Sequence, residues 1–257
     1  MSKKTDITGL RTKSKTAGWF TVSSYINNQK VLVQFEDTGT LVWTSKDRAV
    51  KGTVRDKNHP SIFGVGCIGV GEYQSRYGAK GAKTKEYQVW ENMIARCYYP
   101  KSSRYEAYGG QGVVVCEEWL NFQNFAKWFA TNYKEGYHLD KDILGDGKHY
   151  GPEVCRFIPQ KLNNLLVNNT INVGKESELP IGVSVSRDRY QCTLSLNLTN
   201  GVKYGADTVQ KVREYYEKAK TNGVREVVES FREDIPVEVY LKLKDYKFEY
   251  SEGEVDE

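Results

Sequence analysis

Over the first sixty positions of the chain, apolar residues alternate with polar ones. From Lys85 they recur every three to four positions. Alternation marks a strand with one buried face, and the wider spacing marks an amphipathic helix. Trp19-Phe20-Thr21-Val22, Lys30 to Phe35 and Leu41 to Thr44 read as three strands joined by turns at Asn27-Asn28 and Asp37-Thr38-Gly39. A short strand from Val50 to Val54 is expected to close them into a small barrel. From Lys85, Tyr87, Trp90, Met93, Ile94 and Cys97 share one helical face. A glycine turn at 109–112 leads into Val113 to Cys116. Glu117-Glu118-Trp119 then starts a second helix, with Phe122, Phe125, Ala126 and Phe129 on one side. Glu117 and Glu118 fit the first turn of that helix, where anions favour the dipole, better than a paired-carboxylate site.

Residues 136–164 compress strand, loop, strand and helix into one short stretch. His138 to Leu144 alternates, Gly145-Asp146-Gly147-Lys148 turns, Val154 to Phe157 returns, and Pro159 opens a helix bearing Gln160, Asn163 and Asn164. After an Asn-rich segment, alternation resumes at Gly182. It gives strands at Val183 to Ser186, Tyr190 to Asn197 and Val202 to Gly205, then a helix from Thr208 to Lys220. Val224 to Phe231 and Val239 to Tyr246 read as separate terminal elements. The expectation is therefore an α+β chain of several domains: a basic arm and small β-barrel-like domain at 1–58, a glycine-rich basic linker at 59–84, a helix-flanked strand–loop–strand–helix unit at 85–168, a three-stranded sheet plus helix at 178–222, and a terminal helix with an acidic tail at 223–257.

Composition changes this picture in three ways. No run of about 20 apolar residues occurs, so no membrane span is expected. The basic start, with Lys3, Lys4, Arg11, Lys13 and Lys15, has no apolar stretch behind it and does not read as a secretory signal; a mobile arm is expected there. Five scattered cysteines without a CxxC pair suit a reducing cytoplasm and argue against a disulfide framework or a Cys-rich zinc site. Charge is uneven. From Glu229 onward 10 Asp/Glu face 4 Lys/Arg, so of the net +4 the first 228 residues carry +10. A basic body with an acidic tail points to a polyanionic partner. The basic stretch with Arg76, Lys80 and Lys83 is suited to follow a phosphate backbone. The glycines between 64 and 71 lack the GxGxxG pattern opening a helix, so no dinucleotide site is expected.

In the 136–164 stretch, a hard divalent ion would take oxygen ligands from Asp140 and from Asn163 or Asn164. The order Leu139-Asp140, Tyr150, Pro152-Glu153, Cys155-Arg156, Gln160 and Asn163 resembles the ββα-metal unit of bacteriophage HNH endonucleases. Upstream, Trp90, Met93, Arg96-Cys97-Tyr98, Tyr108-Gly109-Gly110, Val115-Cys116 and Trp119 match the framework of the same family, so the resemblance spans roughly 85–168. It implies one Mg2+ or Mn2+ held by Asp140 and Asn163. The chain departs from the family where the general-base histidine is expected, which is Lys141, and where the asparagine that orients it is expected, which is Val154. A protonated lysine cannot accept a proton from water near pH 7. His138 and His149 are the nearby substitutes.

Pro180, Gly182, Val183, Tyr190 and the helix end at Ala219-Lys220 resemble the APETALA2-type DNA-binding domain, whose sheet lies in the major groove. That resemblance puts Ser184, Arg187, Arg189, Gln191, Thr193, Ser195 and Lys203 on double-stranded DNA, with Arg156 as a further contact. Arg and Gln make bidentate base contacts, whereas Ser, Thr and Lys suit phosphate. The expected function is sequence-directed DNA binding by a monomer in the cytoplasm, a host cell's if the chain is phage-encoded, with HNH-type hydrolysis if the centre is active. The alternative is the same scaffold without catalysis, acting as a repressor or interaction protein.

Overall fold

The computed structural model describes residues 6–78, 81–166, 179–180, 182–194 and 202–250. The predicted arm before residue 6, the acidic tail after 250, and the expected contacts Lys80 and Ser195 lie outside the described residues. In chain order the strands are β1 (Arg11–Lys13), β2 (Trp19–Asn27), β3 (Lys30–Phe35), β4 (Leu41–Thr44), β5 (Val114–Val115), β6 (Tyr137–Asp140), β7 (His149–Tyr150), β8 (Arg156–Pro159), β9 (Val183–Ser186), β10 (Arg189–Leu194) and β11 (Val202–Ala206). The helices are α1 (Lys46–Val50), α2 (Lys85–Tyr98), α3 (Glu117–Leu120), α4 (Phe122–Asn132), α5 (Gln160–Leu166), α6 (Val209–Ser230) and α7 (Val237–Leu243). The fold is mixed α+β with several separate sheets. It divides into two compact units, 1–132 with 148–152, and 133–147 with 153–257.

In the first unit, β1 to β4 form an antiparallel sheet in sequence order. Phe20, Val22, Val31, Val33 and Phe35 alternate onto one face and bury against Ala17, Ala49 and Val54. The expected barrel does not close among the described residues. The segment after β4 turns into α1, where the Ser45 hydroxyl accepts the Arg48 N–H and caps the helix, and the strand expected at Val50 to Val54 does not form. Residues 11–13, expected in a mobile arm, form β1 against β2.

Helix α2 buries Tyr87, Trp90, Met93, Ile94 and Cys97, the face its spacing predicts. The single helix expected from Glu117 is two. Asn121 interrupts it, and its Oδ1 accepts the Gln123 N–H at 3.0 Å to start α4. The glycine-punctuated stretch before α2 is pinned to this break. Cys67 N–H donates to Leu120 O, and Phe122 N–H donates to Cys67 O. Gly69 has φ +73, and a Cβ there would lie 2.1 Å from Asn121 Oδ1, so only glycine fits.

In the second unit, β6 and β8 pair antiparallel, and α5 packs against both. Ile158, Leu162 and Leu165 form a core with Val224, Val227 and Val228 of α6 and Val239 and Leu243 of α7. The sheet ordered β11-β10-β9 buries Val183, Cys192, Leu194 and Ala206 against Val212 and Tyr216 near the start of α6. The two helices expected around residue 222 are one helix of 22 residues serving both cores. Asn222-Gly223 reads as a break, since glycine costs about 1 kcal/mol within a helix. The buried stripe Val212, Tyr216, Lys220, Gly223, Val224, Val227 and Val228 nevertheless runs straight through it. No helix of the described residues is long and apolar enough to cross a membrane.

Lys220 sits in that stripe at 3% exposure. Its Nζ lies 4.5 Å from the Phe248 ring centroid and 5.8 Å from that of Tyr216. Burial pulls its pKa from 10.5 down to about 8. The unfolded chain therefore keeps a proton that the folded chain gives up, and stability rises as pH increases from about 8 to 10.5. Lys220→Met is expected to stabilise the protein at pH 7 by about 1–3 kcal/mol, less whatever the neighbours of the ammonium, the two rings among them, return to it. Thermal melts of both proteins at pH 7 and pH 10 check this. The gap should narrow at the higher pH, and a gap that stays constant excludes burial of charge as its cause.

Candidate nucleic-acid interface

The strand–loop–strand–helix stretch is present as β6, β8 and α5, with Asp140 paired to Arg156 at the end of β6. His138 lies two residues back on the same face of the strand, and it is exposed. His149 belongs to the first unit, where β7 pairs in parallel with β5 and places it opposite Val114. Asn163 is half-buried on α5.

Asp140 is 6% exposed, and its Oδ1 accepts the N–H groups of Asp142 and Ile143, each at 3.0 Å. Burial raises its pKa, and the two backbone donors and Lys141 only partly oppose this. Lys141 is also 6% exposed. Its Nζ donates to Asp142 Oδ1 and to Gly147 O, both at 2.6 Å, and so clasps the 141–147 loop. This arrangement leaves one oxygen of the Asp140 carboxylate for a divalent ion. The other oxygen is already taken by backbone donors, and an ammonium acts on the same carboxylate. Among the described residues no group of three or more His, Cys, Asp and Glu is placed to hold a metal. Nor does Lys141 offer a base, because its amine is tied down as a donor.

Asparagine at position 140 would keep the acceptor for both N–H groups without a buried charge. Asp140→Asn is expected within about 1 kcal/mol of the parent, whereas Asp140→Ala leaves two buried donors unmatched and costs about 1–3 kcal/mol. Urea titrations decide between them. The raised carboxyl pKa means that the parent loses stability as pH rises through it, a slope the asparagine variant should lack.

The expected phosphate contacts differ in how free they are. Arg156 Nε donates to Glu238 Oε1 at 2.7 Å, and the pair holds the Glu238 carboxyl below its usual range. A further Arg156 nitrogen donates to Cys155 O at 2.7 Å, so this guanidinium ties β8 to α7. Lys83 is paired with Glu91. Arg76 sits opposite Lys83 in an isolated bridge and donates to Gly81 O at 3.1 Å.

The C-terminal sheet is organised differently. Its register sets Ser184 and Gly205 opposite Gln191, and Lys203 opposite Thr193. Residues directly opposite each other share a face, so Ser184, Arg189, Gln191, Thr193 and Lys203 lie together on the side away from Cys192, Leu194 and α6. Ser186, opposite Arg189, completes this face. It was not singled out from the sequence, although the alternation that marks Ser184 marks it too. Gly205 leaves the middle of the face bare. Arg187 stands at the hairpin tip, where it and Asp188 both adopt left-handed backbone, φ 51 and φ 62. Two successive positive φ values make the tight primed turn that matches strand twist. Arg189 meets Asp207 at 3.1 Å, with both side chains largely exposed. Compared with known proteins, the chain matches no family model, no curated protein and no solved structure.

Proposed function

We propose that this chain is a double-stranded DNA-binding protein whose HNH-like ββα unit is a scaffold without hydrolytic activity. The observation that carries this is the outer face of the β9–β10–β11 sheet: small, polar and cationic, with one bidentate-capable amide at Gln191, a lysine at Lys203 and an arginine at the hairpin tip. Such a face carries both base-reading and phosphate-meeting groups. The net +10 before residue 229 supports the same partner. Support for an inert centre comes from Lys141, whose amine is bonded to its own loop where the base is expected, and from Asp140, one oxygen of which is already taken by backbone donors.

The test incubates plasmid and genomic DNA with the protein in Mg2+, Mn2+ or EDTA, beside Asp140→Asn. Binding that weakens steeply with salt, with no nicking in either metal, is the expected result. Metal-dependent nicking abolished in Asp140→Asn would instead establish a nuclease, with Asp140 and Asn163 at its metal and His138 or His149 as its base. Absence of binding at low salt excludes DNA as the partner.

A further inference from the structure

A cavity of about 570 Å³ lies beside the outer strand of the N-terminal sheet, within the range of about 300–1,000 Å³ usual for ligand sites. Its lining includes Trp43 and Thr44 of β4, with Arg48, Arg55 and Lys57 from the segment that follows. The lining also holds one carboxylate, Asp56, which two neutral donors fix in place, the Thr38 hydroxyl on one oxygen and the Asn58 N–H at 2.8 Å on the other; the three cations outnumber it. Trp43 is 53% exposed, and Lys30 Nζ stands 5.2 Å from its ring centroid. Thr44 is 8% exposed, and its hydroxyl is a buried polar atom without a hydrogen-bond partner. Thr44 faces the core opposite Val31, on the other side of β4 from Trp43.

A flat aromatic ring and three cations around one cavity match the parts of a nucleotide. We propose that this cavity binds a nucleoside phosphate, with the base stacked on Trp43 and the phosphate met by Arg48, Arg55 and Lys57. The indole is what separates this partner from an acidic peptide, which would need the cations but no exposed ring. Base stacking on aromatic side chains is tolerant of sequence, so the ligand is either a free nucleotide or one residue of a single strand. The site is distinct from the duplex-binding face and is carried by different observations.

The experiment titrates the full chain with a 5′-phosphorylated oligothymidylate of about twelve nucleotides and, separately, with AMP, following anisotropy for the strand and calorimetry for AMP. Trp43→Ala and the double variant Arg55→Glu, Lys57→Glu are each expected to weaken binding about tenfold or more. Trp43, Arg55 and Lys57 are exposed, and circular dichroism confirms that each variant is folded. AMP binding that competes with the strand identifies a free nucleotide as the ligand, whereas strand binding without AMP binding identifies a single strand. If neither probe binds, or if the folded Trp43 and Arg55/Lys57 variants bind as the parent does, the proposal is wrong.

Discussion

Replacing Trp90 with alanine is expected to lower stability by about 3–5 kcal/mol, enough to unfold much of the first unit at 37 °C. The indole is fully buried and lies against two other rings, with centroids 5.6 Å away at Tyr87 and 5.5 Å away at Phe122. Its Nε1 donates to Trp119 O at 2.7 Å, so truncation removes a large apolar body and leaves that carbonyl short of a partner. The loop before α2 fits tightly around it, since a Cβ on Gly66 would stand 3.0 Å from the ring. Trp90→Phe should recover part of the volume without the hydrogen bond and fall between the two. Urea titration measures both. A loss below about 1 kcal/mol for the alanine variant would mean that the surrounding rings collapse to fill the space.

Charge reversal on the C-terminal sheet is expected to weaken duplex binding about 100-fold at low salt. In Arg187→Glu with Lys203→Glu, one cation at the hairpin tip and one on the face opposite Thr193 each become anions. Each phosphate contact contributes about 0.9 to the slope of log affinity against log salt, so the slope should fall by about 2. Arg189 is kept in this variant because Asp207 already offsets its charge. Anisotropy titrations of a labelled duplex at several salt concentrations give both numbers. Unchanged affinity and slope would remove this face from the DNA contact.

Elements with a clean period are legible in the order of residues itself. The β2–β3 alternation, the α2 face and the polar face of β10 all follow from which side of a strand or helix meets a core, and side-chain period alone fixes that. What stays hidden depends on partners distant in sequence. Asn222-Gly223 reads as a helix end locally, and only burial against α5 and α7 keeps α6 continuous through it. Asn121 splits α3 from α4 because residues near 67 dock at the gap, fifty positions upstream. Lys141 is recognisable as a departure from the expected histidine. Its clasp on Gly147 O is not, because it depends on how the loop between β6 and β8 folds back. The cavity beside Trp43 is likewise invisible in the sequence, since its cations at 48, 55 and 57 flank a segment whose path back to β4 no local pattern shows.

The tip of the β9–β10 hairpin carries a consequence beyond its geometry. Left-handed backbone is easiest for glycine or asparagine, yet arginine and aspartate occupy it. Asn-Gly at these two places would relieve strain and tighten the hairpin while discarding its charged tip. Ease of folding and reach toward a partner therefore pull in opposite directions at positions 187 and 188. A screen for thermal stability alone would favour exchanging this pair and would erase the group best placed to lead the sheet into a groove.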